Sequence, residues 1–421
     1  MPGQTISMLK KSSFLALLLL AATEAASAQS QLRIFNPQPN SNDRFGDAVA
    51  ADGAWLMVGA PNESSGGVDA GAVYVYELDN GNYVQRARLI ASDGASGDSF
   101  GNAIDIDGDV AVIGAWQDNL AAGSGAGSAY VFERIAGVWT QRVKLMAPDA
   151  ATADAFGFAV GVSGDAILIG ASLDDITGVG QNAGSAHLFR RNGGTWLHSA
   201  QLLASDGNAF NRFGAALAIS GTNVLVGAQA ADQGAGATYA YNISNGSATF
   251  QSRFVTNDRG ATDAFGSAIA LDGDTALIGA PQHSGTIGTL AGAAYIFTRS
   301  GGNWLQQLKL VEPATLAGDK FGFSLALSNN VAVVGAPSAS AGCQGCGAAS
   351  VYQRFGANWS RVSRLLAADA AQFDNLGTAV AATTEGAVLG APNANDPGGS
   401  ADAGSVVRFV LPLSSFRDGF E

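Results

Sequence analysis

The sequence predicts an all-β fold: a seven-bladed β-propeller of four-stranded antiparallel blades, closed by an amino-terminal strand that completes the last blade. Three observations predict it. A Phe-Gly pair recurs at near-constant spacing, and each recurrence brings four short β-like segments with it. The final copy lacks its fourth segment, while the chain begins with a spare one.

The pair falls at Phe45, Phe100, Phe156, Phe213, Phe265 and Phe321, with Leu376-Gly377 as a seventh, degenerate copy. Successive intervals are 55, 56, 57, 52, 56 and 55 residues. A Gly-Ala pair follows at Gly59, Gly114, Gly170, Gly227, Gly279, Gly335 and Gly390, always 14 residues after the Phe or Leu. A third block opens at Gly71, Gly127, Gly184, Gly236, Gly292, Gly347 and Gly404, as in "GAVYVY" and "GSAYVF". A fourth carries an aromatic and an apolar end, its aromatics being Tyr83, Trp139, Trp196, Phe250, Trp304 and Trp359. Four strands per unit, seven times over, is the pattern of a propeller, since one such sheet cannot bury both faces alone. A parallel β-helix has far shorter coils, and separate 55-residue domains would expose too much apolar surface.

The missing strand is accounted for at the other end of the chain. The last unit stops at "SVVRFVLPL", and "QLRIFNPQ" (31–38) aligns with the fourth-block "RVKLMAPD" (142–149). Pairing the two ends removes an open sheet edge.

Composition agrees. With 47% hydrophobic residues, 56 glycines and 8% aromatics, the 421-residue chain reads as many turns joining short strands with small packing residues. Residues 1–28 read as a signal peptide: Lys10 and Lys11, the apolar run Phe14 to Ala22, then small residues at Ala26 to Ala28. The expected mature protein is exported and soluble, with residues 29–411 forming one propeller and 412–421 a short tail. That tail, "SSFRDGFE" with the preceding "LPL", is similar to a short carboxy-terminal motif of some exported bacterial proteins. Removing the leader moves the net charge from −13 to −14, which repels phosphate backbones and argues against nucleic acid as partner. No later stretch is long enough for a transmembrane helix, and a monomer is expected.

Together the Phe-Gly and Gly-Ala blocks resemble the FG-GAP repeat, known from the β-propeller of integrin α-subunits and from bacterial secreted proteins. "GAP" itself stands at Gly59, Gly279, Gly335 and Gly390, and the resemblance spans residues 31 to about 410. In integrins it implies calcium loops of DxDxDG type between the first two strands. Here only Asp105, Asp107 and Asp109 approach that motif, and they occur in one unit. The two strands lie too close in sequence for a loop that wraps an ion with six to eight oxygens. Asp-Gly and Ser-Gly between alternating apolar strands describe two-residue hairpins. The hairpin reading is preferred, calcium at Asp105, Asp107 and Asp109 is the alternative, and no other cofactor is implied.

A second acid recurs two positions before the Phe, at Asp43, Asp98, Asp154, Asp263, Asp319 and Asp374, with Asn211 in unit four. It is expected to accept backbone hydrogen bonds in the inter-blade loop. A ring of ion-coordinating carboxylates is the alternative. Cys343 and Cys346 are expected to form a local disulfide. The three histidines are scattered, and His187 replaces a strand tyrosine.

No GxSxG, HExxH or phosphate loop occurs, and "SDGASGDSF" (92–100) lacks the tryptophan of a sialidase-type Asp box, so no catalytic residue is named. The loops between strands two and three vary most, for example 61–70, 172–183 and 281–291. The expected function is non-catalytic binding of an extracellular protein or glycan through those loops, at the cell surface, outside the cell or in the periplasm. A purely structural surface protein is the alternative, and a polysaccharide hydrolase or lyase is a further one.

Overall fold

The computed structural model describes residues 30–64, 66–244, 246–285 and 288–411. The expected leader and the tail from residue 412 lie outside the described residues. Seven four-stranded antiparallel sheets form seven blades. Blade 1 comprises Val49–Asp52, Trp55–Ala60, Ala72–Asp79 and Asn82–Leu89, from the innermost strand outward, and the next five blades repeat that order. In blade 7 the chain supplies Val380–Thr383, Gly386–Ala391 and Ser405–Val410, and Gln31–Phe35 completes the sheet. Its register runs from Gln31 opposite Phe409 to Phe35 opposite Ser405.

The repeated glycines have a geometric cause. In blade 1 the Gly46 N–H donates to the Gly59 carbonyl (2.8 Å), and Gly101 to Gly114 does the same in blade 2 (2.9 Å). The fixed 14-residue spacing is therefore the length of hairpin that brings the Phe-Gly and Gly-Ala glycines face to face. Each Gly-Ala glycine also lies against the next blade's Phe-Gly backbone, leaving no room for a Cβ: Gly227 meets Gly266, and Gly390 meets Gly46 across the closure. The third-block glycine forms an isolated parallel bridge to the next unit's Phe, as in Gly71 with Phe100 and Gly236 with Phe265. Gly404 with Phe45 is the same bridge from blade 7 to blade 1. The signature residues thus join blades as well as building them.

Apolar side chains sit between blades. One buried cluster joins Met57 and Val75 of blade 1 to Phe100, Ile113 and Tyr130 of blade 2. Another joins Phe45, Leu56 and Tyr74 of blade 1 to Val388 and Val406 of blade 7. Alternation along each strand sends successive residues to opposite neighbours, so both sheet faces are core. Each Phe packs edge-on against the third-strand ring of its own blade, with centroids 5.5 Å apart for Phe45–Tyr74 and 5.4 Å for Phe156–His187.

One fourth-block assignment is corrected. Trp139, Trp196 and Trp304 are buried opposite the end of the third strand. Phe250 lies two positions further along, opposite Tyr241, and is 41% exposed. Ala248 occupies the tryptophan position in blade 4, and buried Ile243 faces it.

Candidate functional site

The two ends of the ring differ in kind. One end carries the hairpins, closed by pairs such as Asp107 with Val110. The turn residues are therefore Gly108-Asp109, not Asp107-Gly108, and Gly108 adopts φ 59°. Asp107, the last residue of its strand, points its carboxylate at the next blade and accepts the Gly164 N–H (2.6 Å). The same bond runs from Gly108 to Asp52 (2.7 Å), Gly221 to Ser163 (3.0 Å), Gly273 to Ser220 (3.0 Å) and Asn329 to Asp272 (2.5 Å). Asp and Ser recur before the glycine because each holds the neighbouring turn. This end is a stitched floor.

Asp105, Asp107 and Asp109 do not converge. Asp109 pairs with Arg134, Asp107 holds Gly164, and Asp105 accepts the Val162 N–H (2.8 Å) from the innermost strand of blade 3. Each carboxylate thus has its own protein partner. Thermal melting is expected to be unchanged by a chelator; a fall of several degrees would restore the calcium reading.

Asp105 is unusual among its equivalents, which are Ala50, Gly161, Ala218, Ala270, Ala326 and Ala381. It lines a central channel of about 530 Å³. Desolvation against the blade wall raises its pKa to about 7, outweighing the backbone hydrogen bonds that lower it. The residue is nevertheless partly accessible to channel water, which moderates the energetic consequence. A carboxyl with a raised folded-state pKa contributes stability that is present below its unfolded value and lost as pH rises through the folded one. Asp105→Asn keeps an acceptor for Val162 and removes the charge. It is expected to stabilise the protein by about 1–2 kcal/mol at pH 8, an advantage that falls by about half at pH 5 and disappears only below the ordinary carboxylate range. Parallel unfolding curves at the two pH values check this, and equal effects at both would refute it.

At the opposite end, the recurring acid before each Phe closes a loop by accepting the N–H three residues earlier: Asp43 from Asn40 (2.8 Å), Asp98 from Ala95 (2.6 Å), Asp154 from Ala151 (2.6 Å), Asp263 from Gly260 (2.7 Å), Asp319 from Leu316 (2.8 Å) and Asp374 from Ala371 (3.0 Å). Burial raises the pKa of Asp154 to about 6 and moves Asp43, Asp98, Asp319 and Asp374 in the same direction. The six carboxylates are spread over six of the seven blades, with Asn211 in the other, and act as loop fasteners.

A polar cluster absent from the sequence reading recurs beside them. The third-strand tyrosine faces a fourth-strand cation: Tyr74 and Arg88, Tyr130 and Lys144, Tyr239 and Arg253, Tyr295 and Lys309. Loop acids flank the cation, as when Lys144 pairs with Asp93 (2.7 Å) and Asp118 (2.6 Å). In blade 3 the tyrosine and cation become His187 and Gln201, opposite each other in the same register. The expectation that His187 replaces a strand tyrosine describes its position. Ser185 donates to Asp174 (2.6 Å) and lies 3.0 Å from His187 Nε2, while His187 Nδ1 is 3.2 Å from His198 Nε2. Burial lowers the His187 pKa to about 4, which keeps the ring neutral. With the serine proton directed at Asp174 and the hydroxyl fully buried, this is not the order of a nucleophilic triad.

Cys343 and Cys346 are bonded, with Cα atoms 5.5 Å apart, in the corresponding loop of blade 6. The described residues of loops 61–70, 172–183 and 281–291 emerge at this same end. They interlock with the next blade's entry segment, as in Gly97 to Val68 (2.8 Å) and Phe210 to Gln181 (2.7 Å). This end therefore combines long variable segments with a rigid base.

A family model described as FG-GAP repeat matches residues 30–76, 83–132, 139–189, 196–241, 248–297, 304–352 and 359–407. Each match starts in or just before an outer strand and ends in the third strand of the following blade, so the first begins with the closing strand. No curated protein matches the chain.

Proposed function

Because the chain belongs to the FG-GAP repeat family, with seven copies in one ring, we propose that it is an exported, non-catalytic binding protein. Its loop-bearing end would engage an extracellular protein or glycan. The observation that carries this reading is the asymmetry of the ring. One end consists of short turns, five of them hydrogen-bonded to the strand end of the preceding blade. The other carries loops of unequal length and composition on a base fixed by the Asp fasteners. Variable segments on a rigid scaffold are where recognition residues accumulate. Export is supported by the basic–apolar–small pattern of residues 1–28 and by the cysteine pair.

Replacing residues 172–183 with the shorter blade 4 loop, 229–235, tests the reading. The intact protein is expected to bind on a glycan array or on immobilised cell-envelope protein. The replacement is expected to lose at least tenfold in affinity while melting normally. Undiminished binding excludes that loop, and no binding to either surface favours a purely structural role.

A further inference from the structure

We infer that the boundary between blades 2 and 3 carries a stacking subsite for a neutral sugar ring, built on Trp116 and Phe158. The inference rests on the proposal that the loop-bearing end binds ligands, and it specifies the ligand class.

The position after each Gly-Ala pair is Pro61, Trp116, Ser172, Gln229, Pro281, Pro337 and Pro392. The second position after each Phe is Asp47, Asn102, Phe158, Ala215, Ser267, Phe323 and Thr378. Neither position requires an aromatic to build the fold, since proline, serine or glutamine serves at the first in the other blades and Asp, Asn, Ala, Ser or Thr at the second in five of seven. At one boundary both are aromatic, and the two rings meet. Their centroids are 5.8 Å apart with planes at 82°. Phe158 is 38% exposed and Trp116 half-buried, so the pair forms an open corner, not a core contact.

The corner is held in place. Asn102 donates to the carbonyls of Gly157 and Phe158 (both 3.2 Å) and accepts the Trp116 N–H (3.4 Å), tying both backbones together. Glycines 114 and 157 press against each other directly beneath. Next to Trp116 in sequence, exposed Gln117 accepts the Ser99 hydroxyl (2.8 Å) on its amide oxygen, and among the described residues nothing engages its amide N–H groups.

An aromatic ring presents a negative face. The polarised C–H groups on one face of a pyranose match it, and a neighbouring amide can bond the hydroxyls at the ring's edge. Two fixed rings reduce the ordering cost of binding. The charge of −13 disfavours sulfated or uronic-acid polymers, which leaves neutral glycans as the matching class.

The test is affinity electrophoresis of the full-length protein in gels containing galactomannan, xyloglucan, arabinoxylan or mixed-linkage β-glucan, with alginate and heparin as anionic controls. At least one neutral polymer is expected to retard the protein. Trp116→Ala and Phe158→Ala should each weaken that retardation at least tenfold while keeping a single cooperative melt lowered by no more than a few degrees, whereas Phe323→Ala should leave the retardation unchanged. Retardation undiminished in both variants would overturn the subsite while leaving the binding-face proposal intact. Retardation by none of the neutral polymers, or by the anionic ones alone, would overturn the assignment to neutral glycans, and the loop replacement would then decide the broader reading separately.

Discussion

Removing residues 30–36 is expected to cost the protein more than about 5 kcal/mol, or to prevent recovery of soluble protein altogether. The deleted strand covers Val406, Val407 and Phe409, all buried in the seventh blade. Without it the N–H and C=O groups of alternate residues along Ser405–Val410 lose their partners, and an apolar sheet edge is exposed to pair with other chains. Arg33 is lost as well, and with it a hydrogen bond to Ser405 (2.8 Å) and ion pairs to Asp369 (2.7 Å) and Asp374 (3.7 Å). Asn36 no longer bonds Asp43 (2.8 Å) at the entry to blade 1. Urea unfolding of the truncated chain measures the loss. A synthetic peptide of residues 30–38 added in trans should recover part of it by strand addition. A truncated chain as stable as the intact one would show that the closing strand is dispensable.

Gly236→Ala is expected to destabilise the protein by more than about 3 kcal/mol, although it adds one methyl group. Gly236 has φ +84°, and a Cβ there would overlap the backbone oxygen of Phe265 and lie 2.5 Å from its nitrogen. The obstacle is main chain already bonded to Ala235 (3.0 Å), so no side-chain rotation relieves it. Blades 4 and 5 would have to separate along a fully buried seam. Gly108→Ala is the control. Its φ of +59° is similarly left-handed, but nothing lies within 4 Å of the added carbon. The expected cost is about 1 kcal/mol, from backbone conformation alone. If the two substitutions cost the same, the glycines are retained for backbone freedom only, and the inter-blade contact has no energetic weight.

Much of the architecture was legible because repetition multiplies a weak signal. One Phe-Gly pair means little, but seven with a constant 14-residue offset define strand pairing, blade number and the spare strand. Phe250 shows where that method fails: it is the nearest aromatic to the expected position, but it belongs two residues further along the strand. The Asp-Gly hairpins were legible as turns. Their second purpose, holding the next blade, was not, because Asp52 and Gly108 are 56 residues apart in sequence. The same limit hid the tyrosine–cation clusters and the Trp116–Phe158 corner, whose members come from different strands or blades. Asp105 carried a local motif that suggested calcium. Its neighbours in blade 3, Gly161 and Val162, show a single carboxylate docked on the adjacent blade.

Amide hydrogen exchange tests the closed ring most directly. If the closing strand is an integral member of the seventh blade, the amides of residues 31–35 that face Ser405–Phe409 should exchange as slowly as those of 405–410, with both opening in the global unfolding reaction, while the alternate amides on the outer edge exchange freely. Exchange of every amide in 30–36 within seconds, while 405–410 stays protected, would mean that the ring is not latched by its first strand.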